Sequence, residues 1–239
     1  MKVIILAAGF ARRLLPITQD KPKALLEISG KYVLDYLITK IKEISETSEI
    51  IIITNNLFYS QFSEWAEGKN IKVVNDSINS WNERLGAIGD LFFAIQKEKI
   101  DEDIAVFSSD IIFNFSLKEP FKIFNECDKD LAVFYDIHNK EDIKRFGDTV
   151  IKNNLIFYFK EKPESPISTI TDASIFFFKK KTIPLIKQFI LEGTDKDAPG
   201  RFLEYLYQKV PVYAYLAEGN FLDIGSKEYL DKAKKLNWN

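Results

Sequence analysis

Residues 2–13 read KVIILAAGFARR: a short, mostly aliphatic run that stops at Ala7, Ala8 and Gly9 and leads into two arginines. An apolar run this short, bounded by small residues, predicts a strand buried on both faces. The loop behind it carries no side chain large enough to hold a ligand away from the backbone. Arg12, Arg13, Lys21 and Lys23 then crowd into the next stretch, so the segment reads as a site for a polyphosphate. It is not a P-loop, because no Gly-Lys-Ser/Thr follows, and it lacks the G-x-G-x-x-G of a dinucleotide fingerprint.

The same alternation recurs outward from this stretch. Residues 49–54 (EIIIIT), 71–75 (IKVVN) and 103–110 (DIAVFSSD) read as further buried strands, the last ending on an acid. Between them, 32–44 places Val33, Leu34, Leu37, Ile38 and Ile41 on one helical face. The segment around 61–67 is helical, and 85–98 opens with two glycines and becomes an amphipathic helix. Gly30-Lys31 marks a turn. Strands and helices at this spacing predict an α/β fold, a three-layer Rossmann-like sheet that is mixed but mostly parallel and flanked by helices. The second half is richer in strands. Segments 130–137, 148–152, 154–163 and 172–181 read as strands joined by short turns, 182–193 and 198–209 as helices, 210–219 and 220–225 as strands, and 226–235 as a closing helix. No linker, repeat or low-complexity stretch divides the chain, so residues 1–239 are expected to form one domain.

Composition narrows the classes of function. The 239 residues are 46% hydrophobic and 28% charged, values of a soluble globular chain. A net charge of −2 gives no reason to expect nucleic-acid or membrane-surface binding, so phosphate affinity must be local. Cys127 is the only cysteine and excludes an internal disulfide. With a single histidine, His138, the chain offers neither a zinc ligand set nor a base for a histidine dyad. The opening is too short for a signal-peptide core, and no run approaches the roughly 20 apolar residues of a membrane span. A cytoplasmic location is expected. No long carboxyl-terminal extension is present, so no second activity is expected.

The order Gly9, Arg13, Pro16, Thr18, Pro22, Lys23 resembles a family signature. It is similar to L-A-A-G-x-G-x-R-L-x-P-x-T, then P-K-x-L-L and G-K, of the sugar-1-phosphate nucleotidyltransferases (NDP-sugar pyrophosphorylases). Further stretches resemble the same family: NERLGAIGDL at 82–91, AVFSSDIIF at 105–113, RFGDTVIKNNLIFYFKEKP at 145–163, TDASIFFF at 171–178 and NFLDIGSKEYLDKA at 220–233. This chain departs from the pattern with Ala11 and Ser174 where glycines are usual. Arg12 replaces a small polar residue, Ser109 precedes the acid of the fourth strand, and Asp172 replaces Asn.

The resemblance implies a role for each matching residue. Leu6, Ala7, Ala8 and Gly9 would wrap the nucleotide, while Arg13 and Lys23 bind its phosphates. Gly86 would admit the base, with Glu83 and Asn82 reading base or ribose. Gly147, Glu161, Lys162 and Asp172 would hold the acceptor, with Glu161 on its hydroxyls and Lys162 on its phosphate. Asp110 and Asp223 would meet and share one Mg²⁺, with Mn²⁺ as a substitute; Arg13, Lys23 and Asp110 are the catalytic candidates. Residues 1–115 would then be mainly the nucleotide-binding half and 116–239 mainly the acceptor-binding half.

The implied reaction transfers a nucleoside monophosphate from an NTP to a sugar 1-phosphate and releases pyrophosphate. Base, sugar and oligomeric state stay open, a homo-oligomer included. Two alternatives stay open as well: a cytidylyltransferase acting on phosphocholine or inositol phosphate, and a regulatory protein that binds sugar nucleotides without turnover. A glycosyltransferase ranks lowest, because the fourth strand ends in Asp110-Ile111-Ile112 rather than D-x-D.

Overall fold

The computed structural model describes residues 1–44, 49–193 and 195–238. The first half comprises β1 (Lys2–Leu6), a small hairpin β2 (Glu27–Ile28) and β3 (Lys31–Tyr32), α1 (Val33–Lys42), β4 (Ile50–Thr54), α2 (Tyr59–Ala66), β5 (Ile71–Asn75), α3 (Ala87–Lys97), β6 (Ile104–Ser108) and β7 (Ile111–Phe113). Then come α4 (Lys118–Glu126), β8 (Asp130–Asp136), β9 (Gly147–Lys152), β10 (Leu155–Glu161), β11 (Ile170–Phe178), α5 (Ile183–Leu191), α6 (Pro199–Leu206), β12 (Val212–Leu216), β13 (Phe221–Asp223) and α7 (Lys227–Ala233).

Nine strands form one sheet in the order β5-β4-β1-β6-β11-β8-β12-β10-β9. The pairings β5–β4, β4–β1, β1–β6 and β8–β12 are parallel. Only β11 and β10 run against the rest, each antiparallel to both of its neighbours. The sheet is therefore mixed and mostly parallel, as the pattern predicted, and its strand-rich half extends the same sheet.

Burial on both faces explains the near-continuous aliphatic strands. Val3, Ile5, Ile52, Ala105 and Phe107 meet Leu34, Leu37 and Ile41 of α1, Phe62 of α2 and Phe124 of α4 on one side. Ile4, Leu6, Ile51, Ile53 and Val106 meet Leu91, Ala94 and Ile95 of α3, Phe189 of α5 and Phe202 of α6 on the other. Helix α4 was not singled out in the sequence. Its apolar positions Leu117, Phe121 and Phe124 do fall at helical spacing, with Phe121, Ile123 and Phe124 packed on the core, but the helix is short and Pro120 near its start reads as a breaker.

A third, smaller core holds the cationic opening segment in place. Leu14, Leu26 and Ile28 pack against Ile112, Leu222, Ile224, Leu230 and Trp238. These contacts tie the segment to β7, β13 and α7, which are far away in sequence. No helix among the described residues is long and apolar enough to cross a membrane.

Candidate active site

Strands β4, β1 and β6 end side by side, and the loops after β1 and β6 open onto a cleft of about 610 Å³. This is the carboxyl edge at which ligands bind in open α/β sheets. The loop 7–11 is suspended there by buried groups. Ala7 donates its amide to Ile53 O at 2.8 Å, and Ser109 donates to Leu6 O at 3.1 Å. Asn55 Nδ2 donates to Ala8 O at 2.9 Å and Thr18 Oγ1 to Ala11 O at 2.7 Å. Asn55, wholly buried, went unnoticed in the sequence; a polar residue directly after an all-aliphatic strand was the available signal.

Gly9 and Gly86 exclude side chains for different reasons. A Cβ at Gly9 would meet nothing within 4 Å, so only a ligand could require its absence. Gly86 has φ +79°, and a Cβ there would lie 2.8 Å from the backbone of Lys196. Gly86 is thus required by the protein's own packing, which lets the segment 195–200 cross the cleft.

Leu6, Ala7, Ala8, Gly9, Arg13, Lys23, Gly86, Asp110, Gly147, Glu161, Lys162, Asp172 and Asp223 all line this one cleft. Glu83 does not: its carboxylate accepts from Ser80 Oγ at 2.8 Å on the exposed surface. Asn82 is also outside the lining, which Trp81 and Arg84 occupy instead. Glu83, expected to contact base or ribose, thus lies outside the cleft lining, on the short 3-10 turn 81–83 whose Trp81 reaches the cleft. Arg12 lies over the Trp81 ring, 5.5 Å from its centre, while Arg13 lines the cleft. His138 and Cys127 lie outside the cleft lining.

Asp110 and Asp223 come together through the short antiparallel pair β7–β13. Asp223 sits opposite Ile111, and Ile224 donates its amide to Asp110 O at 2.7 Å. Lys23 Nζ lies 3.0 Å from Asp110 Oδ2, and the Asp110 charge is the main reason its pKa is raised. Loss of solvent pushes Asp223 up to about 7, with Asp110 adding to the shift and Lys23 and Arg13 opposing it.

On the opposite wall, Glu161 faces Gly147 across the β9–β10 ladder. Burial, reinforced by Asp172, pushes Glu161 up to about 7, and burial pushes Asp172 up to about 6. Lys162 Nζ lies 3.6 Å from Glu161 Oε1. The Lys162 amide donates to Phe146 O at 2.7 Å. Below the nucleotide side, burial raises Asp90 to about 8, with Asp76 adding to it, and burial raises Asp76 to about 6. Asp90 lines the cleft and was not picked out from the sequence; an acid within the apolar LGAIGDLFF run was its only mark.

These shifts predict an inverted pH dependence of stability. Asp76, Asp90, Glu161, Asp172 and Asp223 all carry folded pKa values above their ordinary ones. Between about pH 4 and pH 8 the folded state therefore binds more protons than the unfolded chain, so stability falls as pH rises. Carboxylates held below their ordinary value of 4.5, such as Glu43 and Glu49, act around and below that value, at the acid edge of the window. The ligand-free protein should melt at a higher temperature at pH 5.5 than at pH 8. A midpoint that is flat or rises over that range contradicts the reading.

Three cleft residues other than glycine adopt the left-handed region: Ala11 at φ 51°, Lys162 at 51° and Ser174 at 52°. Ala11 and Ser174 are the two positions at which the resembled family uses glycine. The backbone shape is kept although the side chain has changed, at a cost of roughly 1–2 kcal/mol each. Glycine gives back part of this gain through its freer unfolded chain. Because the Ser174 side chain also hydrogen-bonds the buried Asp172, the cleaner test is Ala11→Gly, which should be neutral or stabilising by up to about 1 kcal/mol. Denaturant unfolding reads this directly, and a clear loss of stability would show that Ala11 is not strained.

Comparison with known proteins places the chain among relatives. The model of the family described as Nucleotidyl transferase matches residues 2–237. The bifunctional protein GlmU of Methanocaldococcus jannaschii is 26% identical over 231 residues, covering 94% of this chain and 51% of that protein. The mannose-1-phosphate guanylyltransferase catalytic subunit beta of Dictyostelium discoideum is 29% identical, covering 96% of this chain and 63% of its own length. The chain thus spans between half and two thirds of these relatives. Among solved structures, apo UDP-glucose pyrophosphorylase superposes with a TM-score of 0.78 at 17% identity, over 98% of this chain and 97% of that one, a likeness of fold.

Proposed function

The chain belongs to the nucleotidyl transferase family, and on that premise we propose that it transfers a nucleoside monophosphate from an NTP to a sugar 1-phosphate. One observation carries the reading. A single cleft collects the cations Arg13 and Lys23 from one half of the chain, the acceptor-side pair Glu161 and Lys162 from the other, and Asp110 with Asp223 between them. The names of the relatives, which include a mannose-1-phosphate guanylyltransferase, support a sugar phosphate over phosphocholine or inositol phosphate.

The residues divide the chemistry between the two substrates. An oxygen of the acceptor phosphate attacks the α-phosphorus, the bond to the bridging oxygen of the β-phosphate breaks, and pyrophosphate leaves. The attacking phosphate is ionised near neutral pH, so no general base is needed, which fits a cleft without histidine. Arg13 and Lys23 hold the triphosphate and meet the charge that develops on it. Lys162 holds the acceptor phosphate, and Glu161 accepts from sugar hydroxyls. Asp172, a second carboxylate of the same wall whose charge helps to raise the Glu161 pKa, would hold the acceptor beside it.

A divalent cation fits the two aspartates. Their mutual repulsion, which contributes to raising Asp223, is what a bound cation would relieve, and both donors are the hard oxygens that Mg²⁺ and Mn²⁺ prefer. No group of three or more His, Cys, Asp or Glu side chains suited to a metal exists among the described residues. Asp110 and Asp223 would therefore hold Mg²⁺, or Mn²⁺ in its place, with water and substrate oxygens completing the shell. The ion would offset negative charge on the reacting phosphates.

The test is pyrophosphate release from each of the four NTPs and dTTP. Each is paired with glucose 1-phosphate, mannose 1-phosphate, N-acetylglucosamine 1-phosphate, phosphocholine and inositol 1-phosphate. Turnover confined to a sugar 1-phosphate is the expected result. Turnover only with phosphocholine or inositol phosphate, or binding without turnover, would overturn it.

A further inference from the structure

We propose that Arg145, to which the family resemblance assigns no role, is a binding residue for the acceptor's phosphate monoester; the proposal rests on the nucleotidyl-transfer reading above. Five cationic side chains line the cleft: Arg13, Lys23, Arg84, Arg145 and Lys162. Three are already engaged by carboxylates of the cleft itself. Lys23 pairs with Asp110 and Lys162 with Glu161, and Arg84 Nε donates to Asp197 Oδ1 at 3.0 Å. Arg13 and Arg145 have no ion pair among the described residues.

The turn that carries Arg145 leaves it free. It ends the 3-10 turn Asp142–Arg145, and both neighbouring carboxylates are engaged elsewhere. Glu141 takes Lys144 at 2.6 Å, and Asp142 accepts from Asn139 Nδ2 at 2.8 Å. An arginine passed over by the acids of its own turn, and lining a cleft that contains six carboxylates (Asp90, Asp110, Glu161, Asp172, Asp197 and Asp223), has its fork open to an incoming anion.

Its position selects the acceptor side. Arg145 directly precedes Phe146, whose carbonyl takes the Lys162 amide at 2.7 Å, and Gly147, which is paired with Glu161. Arg145 and Lys162 are thus anchored to neighbouring backbone of one wall, whereas Lys23 is paired with Asp110 and both Lys23 and Arg13 act on Asp223. A phosphate dianion held only by Lys162 would share that cation with Glu161. A guanidinium free of carboxylates supplies the second positive charge and can engage two phosphate oxygens at once.

The experiment is calorimetric titration of wild type, Arg145→Ala and Arg145→Lys with glucose 1-phosphate, mannose 1-phosphate and N-acetylglucosamine 1-phosphate, and separately with each of the four NTPs and dTTP. Steady-state kinetics are run on the same proteins. Arg145→Ala should lose at least tenfold in sugar-phosphate affinity and raise the acceptor KM by a similar factor. Its nucleotide affinity should change less than twofold, and Arg145→Lys should recover part of the loss. Because Arg145 is exposed, the melting temperature should hardly move. Unchanged acceptor affinity, or an equal loss for nucleotide and acceptor, overturns the proposal while wild-type turnover leaves the nucleotidyl-transfer reading standing. A wild type that binds nucleotide but binds and turns over no sugar 1-phosphate, N-acetylglucosamine 1-phosphate included, overturns both.

Discussion

Lys23→Ala should lower turnover by about 10²-fold or more at saturating substrates, the scale at which a preorganised charge contact acts on a transition state. The residue is placed for this by two layers of structure. The short turn Lys23–Leu25 buries Ala24 and Leu25, so the backbone is fixed by the core while the side chain reaches the cleft. There Asp110 holds the ammonium at 3.0 Å and keeps it charged well beyond neutral pH. A triphosphate carries several negative charges and competes for that cation against one carboxylate, so the pair stations Lys23 without trapping it. Removing the lysine also leaves Asp110 and Asp223 facing each other with less compensation. The pKa of Asp223, already about 7, should climb, and any residual activity should need higher pH. Kinetics across pH 6.5–9, with circular dichroism to confirm the fold, measures both effects. A variant with near-wild-type turnover, or one whose residual rate keeps the wild-type pH profile, would remove Lys23 from the reacting centre.

How much of the fold and the cleft was legible in the sequence differs by element. The strands of the first half showed themselves because both of their faces are buried, leaving uninterrupted runs such as Ile50–Ile53. Helix α1 was equally plain, since its five buried positions fall on one face. Helix α4 was not, because it is short and Pro120 interrupts the reading of its apolar positions. In the cleft, residues that succeed a strand end in fixed order, from Leu6 to Lys23, could be read as a unit. The placement of Glu83 outside the lining was not legible, because a motif fixes spacing along the chain and not the direction of a side chain: Trp81 and Arg84 line the cleft and Glu83 does not. Arg145 and Asp90 were invisible for another reason. What makes them notable is the state of their neighbours, an arginine without a carboxylate and an acid beside a second buried acid, and that is a property of three-dimensional contact alone. The glycine substitutions at 11 and 174 carry the converse lesson. Ala and Ser appeared as departures, yet both hold the left-handed backbone that glycine serves.

Asp110→Asn and Asp223→Asn should each lose most activity, about 10²-fold or more, while the double variant loses little beyond the worse of the two. The aspartates are more than a hundred residues apart and are joined only by the β7–β13 pairing, so a shared role is a claim about the cleft and not about a local motif. If both hold one divalent cation, either substitution already disables it, and the losses combine less than additively. A cation held by two carboxylates and substrate oxygens should bind weakly alone and better with nucleotide present. Activity should therefore disappear in EDTA and return with Mg²⁺ or Mn²⁺, and each single variant should need more metal for its residual rate. Stability separates this from simple damage. The carboxyl of Asp223 is pushed up to about 7, so its ionised form destabilises the ligand-free fold above that pH. Asp223→Asn removes the charge at nearly constant shape and should raise the melting temperature at pH 8 while lowering the rate, as expected where function is held against stability. A double variant whose losses multiply, full activity in EDTA, or a rate loss that tracks a fall in melting temperature would each show that Asp110 and Asp223 do not share a cation.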